Sequence, residues 1–299
     1  MKVIQQIKAD LNGEGSLETL NSAYDPNGTL ITVIQDSDGN QLWYHQGPID
    51  GWNRQPEDDF IAAVDFDGDN FDEVIVYNPT DNYTGVFKWA AGALHCPWAS
   101  PSPIDGWNRS SDDILLPARL EAGNQEQILI YRDSDQWTGV LQWSNGLRVA
   151  WASQGPIDGF VRSPADQFVV IDIDQDGIDE AIVANSGDGW LGVLKWSAGS
   201  LHNIWASSNF NGPYGDWSLE LGDVIYGRTI GNRNCVLIVR LDSDRAGIPM
   251  FALGWQNNGL VTLPPTLWPN DYPQASNSSH RGDHLLGQDV PVAPGSPGE

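Results

Sequence analysis

The chain has 299 residues, and its 40 acidic against 15 basic side chains give a formal charge of −25. That field argues against nucleic acid and anionic membrane surfaces as partners, because both require basic patches. With 40% hydrophobic residues, 32 glycines and 19 prolines, the composition fits one large turn-rich β domain or two small ones with a real apolar core.

From the start, MKVIQQIKAD lacks the apolar stretch of a signal peptide and reads as a first strand entering an acidic loop. No segment approaches the ~18 apolar residues of a membrane span. A soluble protein is expected, either cytoplasmic or exported without a cleaved leader. The first loop carries Asp10, Asn12, Glu14, Ser16 and Glu18. Fuller copies follow at Asp65, Asp67, Asp69, Phe71 and Glu73, and at Asp172, Asp174, Asp176, Ile178 and Glu180. Oxygen-bearing side chains at loop positions 1, 3, 5 and 9, with a backbone carbonyl at position 7, form a donor set for calcium, which takes six to eight oxygens at roughly 2.3–2.6 Å. Magnesium fits less well, since it demands a tighter octahedron and keeps its water. A solvated hairpin tip would explain one such loop; three in register favour a bound ion.

The first loop positions, Asp10, Asp65, Arg119, Asp172 and Tyr226, are spaced by 55, 54, 53 and 54 residues, so the chain is five tandem repeats. Their approximate bounds are 1–52, 53–107, 108–160, 161–217 and 218–268. After each loop comes a strand-like run closing in tryptophan: GVFKW to Trp89, GVLQW to Trp143, GVLKW to Trp196 and FALGW to Trp255, with LITVI in the first repeat. These tryptophans read as core. A second tryptophan follows at Trp43, Trp98, Trp151, Trp205 and Trp268. Within repeat two, FIAAV, VIVY, TGVFKW and ALHCPW alternate apolar and polar residues between turn residues, which predicts four strands. No segment longer than about ten residues has the helical apolar period. Four strands at this repeat length predict an all-β fold, a β-propeller of five four-stranded blades. The tail, 269–299, is rich in Pro, Gly and Ser and reads as disordered or capping.

A linker motif recurs as GPIDGW, SPIDGW and GPIDGF, with GPYGDW from Gly212 as a blurred copy. Its residues Asp50, Trp52, Asn53 and Arg54 return as Asp105, Trp107, Asn108 and Arg109, and as Asp158, Phe160 and Arg162. Two readings stay open. An aromatic ring beside Asp, Asn and Arg suits a sugar, with the ring under its apolar face and the polar groups on its hydroxyls. Equally, Asp and Arg can bridge neighbouring blades while the aromatic fills the seam. A second candidate surface is the aromatic at a turn tip, Tyr83, Trp137 and Trp190, repeated where burial is least required.

The acidic loops in a tandem β array resemble the FG-GAP/VCBS repeats of integrin α-subunits and propeller lectins. The resemblance covers residues 1 to about 268 and is carried residue by residue by the loops of repeats one, two and four. It implies two or three structural calcium ions held by the three loops, with a carbonyl from Ser16, Phe71 or Ile178. Chelator is then expected to lower the melting temperature and calcium to restore it. Repeats three and five depart from the pattern, and Arg119 and Arg228 are expected to replace the ion with a side-chain charge.

Cys96 and Cys235 fall in repeats two and five at different places, so free buried thiols are expected. His45, His95, His202, His280 and His284 show no carboxylate or cysteine partner at metal-ligand spacing, and no nucleophile–base pair stands outside the repeats. Arg281-Gly282-Asp283 and the sequons at Asn27, Asn82, Asn108 and Asn277 are short enough to arise by chance. The function expected is multivalent recognition of a glycan or glycoprotein, with a protein–protein scaffold and an enzyme with one site on the face or axis as alternatives.

Overall fold

The structure, a computed structural model, describes residues 2–164, 166–185, 187–207, 219, 223–230, 232–240 and 249–263. The tail with Arg281-Gly282-Asp283, the Gly212 linker and Trp268 lie outside the described residues.

Every described element of regular structure is a strand, as the period-2 alternation predicts. The first sheet holds β1 (Lys2–Ala9), β2 (Glu18–Tyr24), β3 (Leu30–Gln35) and β4 (Gln41–Gln46). The second holds β5 (Asp59–Val64), β6 (Glu73–Asn78), β7 (Tyr83–Ala90) and β8 (Ala93–Pro101). The third holds β9 (Asp113–Ala118), β10 (Gln127–Arg132), β11 (Trp137–Trp143) and β12 (Leu147–Gln154). The fourth holds β13 (Asp166–Ile171), β14 (Glu180–Asn185), β15 (Trp190–Ser197) and β16 (Ser200–Ser207). The fifth holds β17 (Asp223–Ile230), β18 (Arg233–Arg240), β19 (Pro249–Gln256) and β20 (Gly259–Thr262). Each is a four-stranded antiparallel meander in chain order, and the first strands of successive sheets touch one another. The five repeats are therefore five blades.

A single blade cannot bury both of its faces, so the core lies in the seams between blades. One apolar cluster fills each described seam, and one strand-ending tryptophan packs against each: Trp89, Trp143, Trp196 and Trp255. The linkers enter the same seams. Trp52, Trp107 and Phe160 are 7%, 6% and 3% exposed, so these rings are buried in the seams. Each ring lies on a glycine of the next blade's third strand. A β-carbon on Gly85, Gly139 or Gly192 would stand 2.7 Å from Trp52, Trp107 or Phe160, respectively. Glycine within these strands marks the close approach of another group.

The linker arginines are buried as well. Arg54 pairs with Asp58 of its own blade and donates to Ser22 and Thr32 of the preceding one. Arg109 pairs with Asp113 and lies 4.8 Å over the Tyr77 ring. Arg162 pairs with Asp166 at 2.8 Å, donates to Thr138, and lies 4.6 Å over the Phe168 ring and 5.5 Å over the Tyr131 ring. Trp52 and Trp107 add their indole N–H to the same aspartates. The linker is a polar rivet inside an apolar seam. Its charges are paired there, as burial of a charge demands.

Candidate functional site

The acidic loops join the first and second strands of their blades. In three of them the position-1 aspartate accepts from the backbone N–H of position 6: Asp10 from Gly15 at 2.9 Å, Asp65 from Asn70 at 3.0 Å and Asp172 from Gly177 at 2.9 Å. Position 6 has positive φ in each, at 77°, 69° and 89°, a conformation suited to glycine and asparagine. The position-9 side chain accepts from the N–H of position 2 in four loops: Glu18 from Leu11, Glu73 from Phe66, Gln127 from Leu120 and Glu180 from Ile173. Much of the acidic pattern therefore shapes the turn itself. Position 8, which the sequence reading passed over, ties blades together. Asp72, Glu126 and Asp179 each accept from the position-1 N–H of the preceding blade's loop and donate their own N–H to its carbonyl. These reciprocal bonds place the loops at one end of the molecule.

The oxygens of Asp65, Asp67 and Glu73 lie within 4.8 Å of one another, as do those of Asp172, Asp174 and Glu180, so each cluster can chelate a divalent ion. A lysine stands among the same carboxylates. Lys88 Nζ is 2.6, 2.9 and 2.7 Å from Asp67, Asp69 and Glu73; Lys195 Nζ is 2.9, 2.6 and 2.6 Å from Asp174, Asp176 and Glu180. Burial pushes the Glu73 and Glu180 carboxyls up to about 7, against the pull of these ammonium groups. Burial also lowers the lysine values, but the hydrogen bonds each ammonium donates to three carboxylates outweigh it and hold both groups charged. In the first loop Asn12 Nδ2 donates to Glu18 at 3.0 Å, and Glu14 is exposed. Asp10 Oδ1 is buried there without a hydrogen bond. In the third loop the Arg119 backbone N–H bonds Asp179, and its buried Nε makes no hydrogen bond.

The turns between second and third strands lie at the opposite end of each blade, because the strands are antiparallel. Blades two, three and four present the same sequence there, an aspartate two residues before an aromatic: Asp81 with Tyr83, Asp135 with Trp137, Asp188 with Trp190. Tyr83 and Trp190 are 42% and 40% exposed, whereas Trp137 is half-buried against Trp107. The remaining linker residues, Asp50, Asn53, Asp105, Asn108 and Asp158, are exposed.

Two of these linker residues have partners that the sequence reading missed. His95 Nδ1 lies 2.8 Å from Asp50, and His202 Nδ1 lies 2.8 Å from Asp158. The partners are 45 and 44 residues apart in the chain, and only the blade brings them together. In blade four the Ser200 hydroxyl is 2.9 Å from His202 Nε2, while blade two has Ala93 in place of that serine.

Both cysteines are free, and burial pushes each thiol up to about 11. A thiol reagent at pH 8 should therefore react slowly with the folded chain and quickly after denaturation. Equal rates in the two states would contradict this burial.

No family model and no curated protein sequence matches the chain. Solved structures do. An Agrocybe aegerita lectin that recognises non-reducing terminal N-acetylglucosamine has a TM-score of 0.56 at 12% identity, over 87% of this chain and 64% of that one. A Bacillus licheniformis rhamnogalacturonan lyase has a TM-score of 0.51 at 14% identity, over 87% of this chain and 50% of that one. The chain thus spans about half to two thirds of these proteins' length, and at such identities the likeness is one of fold.

Proposed function

We propose that the protein is a multivalent carbohydrate-binding module whose contacts lie on the turn face opposite the acidic loops. The observation that carries this reading is the Asp-x-aromatic turn, repeated in three blades with its ring exposed in two of them, at Tyr83 and Trp190. An exposed ring offers a flat apolar surface to a sugar, and the neighbouring carboxylate accepts from its hydroxyls. Similar weak sites on a rigid scaffold gain avidity through effective concentration, by 10²–10⁴ in order of magnitude. The fold shared with a lectin supports the same reading. Calcium is assigned no part in sugar contact, since the loops are at the other end.

A glycan array of the wild type, then of Tyr83→Ala/Trp190→Ala, tests this. Each single variant should lose roughly threefold to tenfold in apparent affinity and the double variant more than the product, as avidity requires. A blank array, or loss in Asp50→Ala/His95→Ala with the aromatic variants unchanged, would overturn the assignment of the site.

A second reading rests on the Ser200–His202–Asp158 chain of hydrogen bonds, the arrangement of a hydroxyl nucleophile, its base and the base's orienting carboxylate. It occurs in one blade of the described residues. Hydrolysis of an activated ester by the wild type and not by Ser200→Ala would support it.

A further inference from the structure

Calcium is what the acidic loops resemble, yet in blades two and four the place such an ion would take is shared with an ammonium. Three carboxylate oxygens stand 2.6–2.9 Å from Lys88 Nζ and likewise from Lys195 Nζ, ordinary charge-assisted hydrogen-bond distances. A divalent ion chelated by those oxygens and the ammonium cannot occupy one spot together, and like charges at such separation repel. The repeats themselves supply an independent observation. The strand-three position of Lys88 and Lys195 is Gln142 in blade three and Gly254 in blade five. Position 9 of the loops in those blades is Gln127 and Asn234, both neutral, instead of Glu73 and Glu180. In blades two to five lysine is present where the facing loop residue is charged and absent where it is neutral, whereas blade one has Glu18 at position 9 and no lysine on its third strand; Glu180 and Lys195 are direct cross-strand partners.

We infer that Lys88 and Lys195 are the resident cations of the second and fourth loops, closing them without metal and holding divalent ions off until the ammonium is withdrawn. The inference does not depend on the carbohydrate reading. It reverses the sequence expectation for these two loops: chelator alone should leave them intact.

Calorimetric titration of the full chain with calcium tests the inference, comparing wild type with Lys88→Met/Lys195→Met. The variant should bind two more calcium ions than the wild type, one at each of these loops. Its unfolding midpoint should fall in chelator and recover in calcium. If the lysine variant folds poorly, adding Asp67→Asn and Asp174→Asn should recover part of the midpoint without calcium, because each removes a like charge from its loop. The inference is overturned if the wild type already binds calcium at both loops, with uptake lost in Asp67→Asn/Asp174→Asn. It is equally overturned if the lysine variant binds no additional calcium.

Discussion

Replacing Gly85, Gly139 and Gly192 together by alanine will destabilise the protein by about 3–9 kcal/mol, the sum of roughly 1–3 kcal/mol for each overpacked seam. Alanine ordinarily improves a strand over glycine, because glycine loses more conformational freedom on folding. Here the added carbon meets Trp52, Trp107 or Phe160 at 2.7 Å, and at Gly139 it also meets the Trp151 carbonyl at 3.1 Å. Thermal or urea unfolding reads the effect. A double-mutant cycle makes it specific: Gly139→Ala should cost much less in the Trp107→Ala background, where the ring is gone. An equal cost in both backgrounds would show that the ring is not what excludes the side chain.

Arg162→Met should cost about 3–5 kcal/mol, since it strips the counter-charge from a buried carboxylate. Arg162 is 1% exposed and Asp166 is 4% exposed. Burial raises the Asp166 carboxyl, and the Ser163 backbone N–H and the Arg162 guanidinium pull it back. Adding Asp166→Asn removes the orphaned charge and keeps an acceptor for the Ser163 N–H, so the double variant should recover part of the loss. A fall in the unfolding midpoint on the order of 10 °C is the expected size for the single change. A shift no larger than that of an exposed substitution such as Val161→Ala would mean that the guanidinium is not a structural tie.

The five blades were legible in the sequence because the repeat is regular and each copy alternates apolar and polar residues at a period of two. VIVY and TGVFKW fall inside β6 and β7. The linker was legible as a motif but not as a rivet. Whether Trp107 faces sugar or seam depends on its partner, and that partner is Gly139, 32 residues downstream. The glycine of GVFKW and GVLQW was in view, and a glycine inside a strand is itself a signal of close approach. The lysine of the same run escaped notice because Glu180 and Lys195 become neighbours only through strand pairing. The Asp50–His95 and Asp158–His202 pairs are hidden for a like reason, since the linker must first fold back on the outer strand of its blade.

The direction in which each linker spends its contacts has a consequence for how the chain can be cut and rejoined. Trp52 bonds Asp58 and packs on Phe87 and Gly85, all in the blade that follows it. Arg54 reaches back, to Ser22 and Thr32, as does the Pro48 carbonyl, 2.9 Å from His45 Nε2 of the preceding blade. The transplantable cassette is therefore linker plus following blade, starting near Gly47 or Ser102 and not after the aromatic. A chimera spliced after Trp52 would separate the ring from its glycine. One spliced before Gly47 carries its own plug and asks of its new neighbour two hydroxyls for the arginine and an apolar seam face such as Leu20 and Ile34.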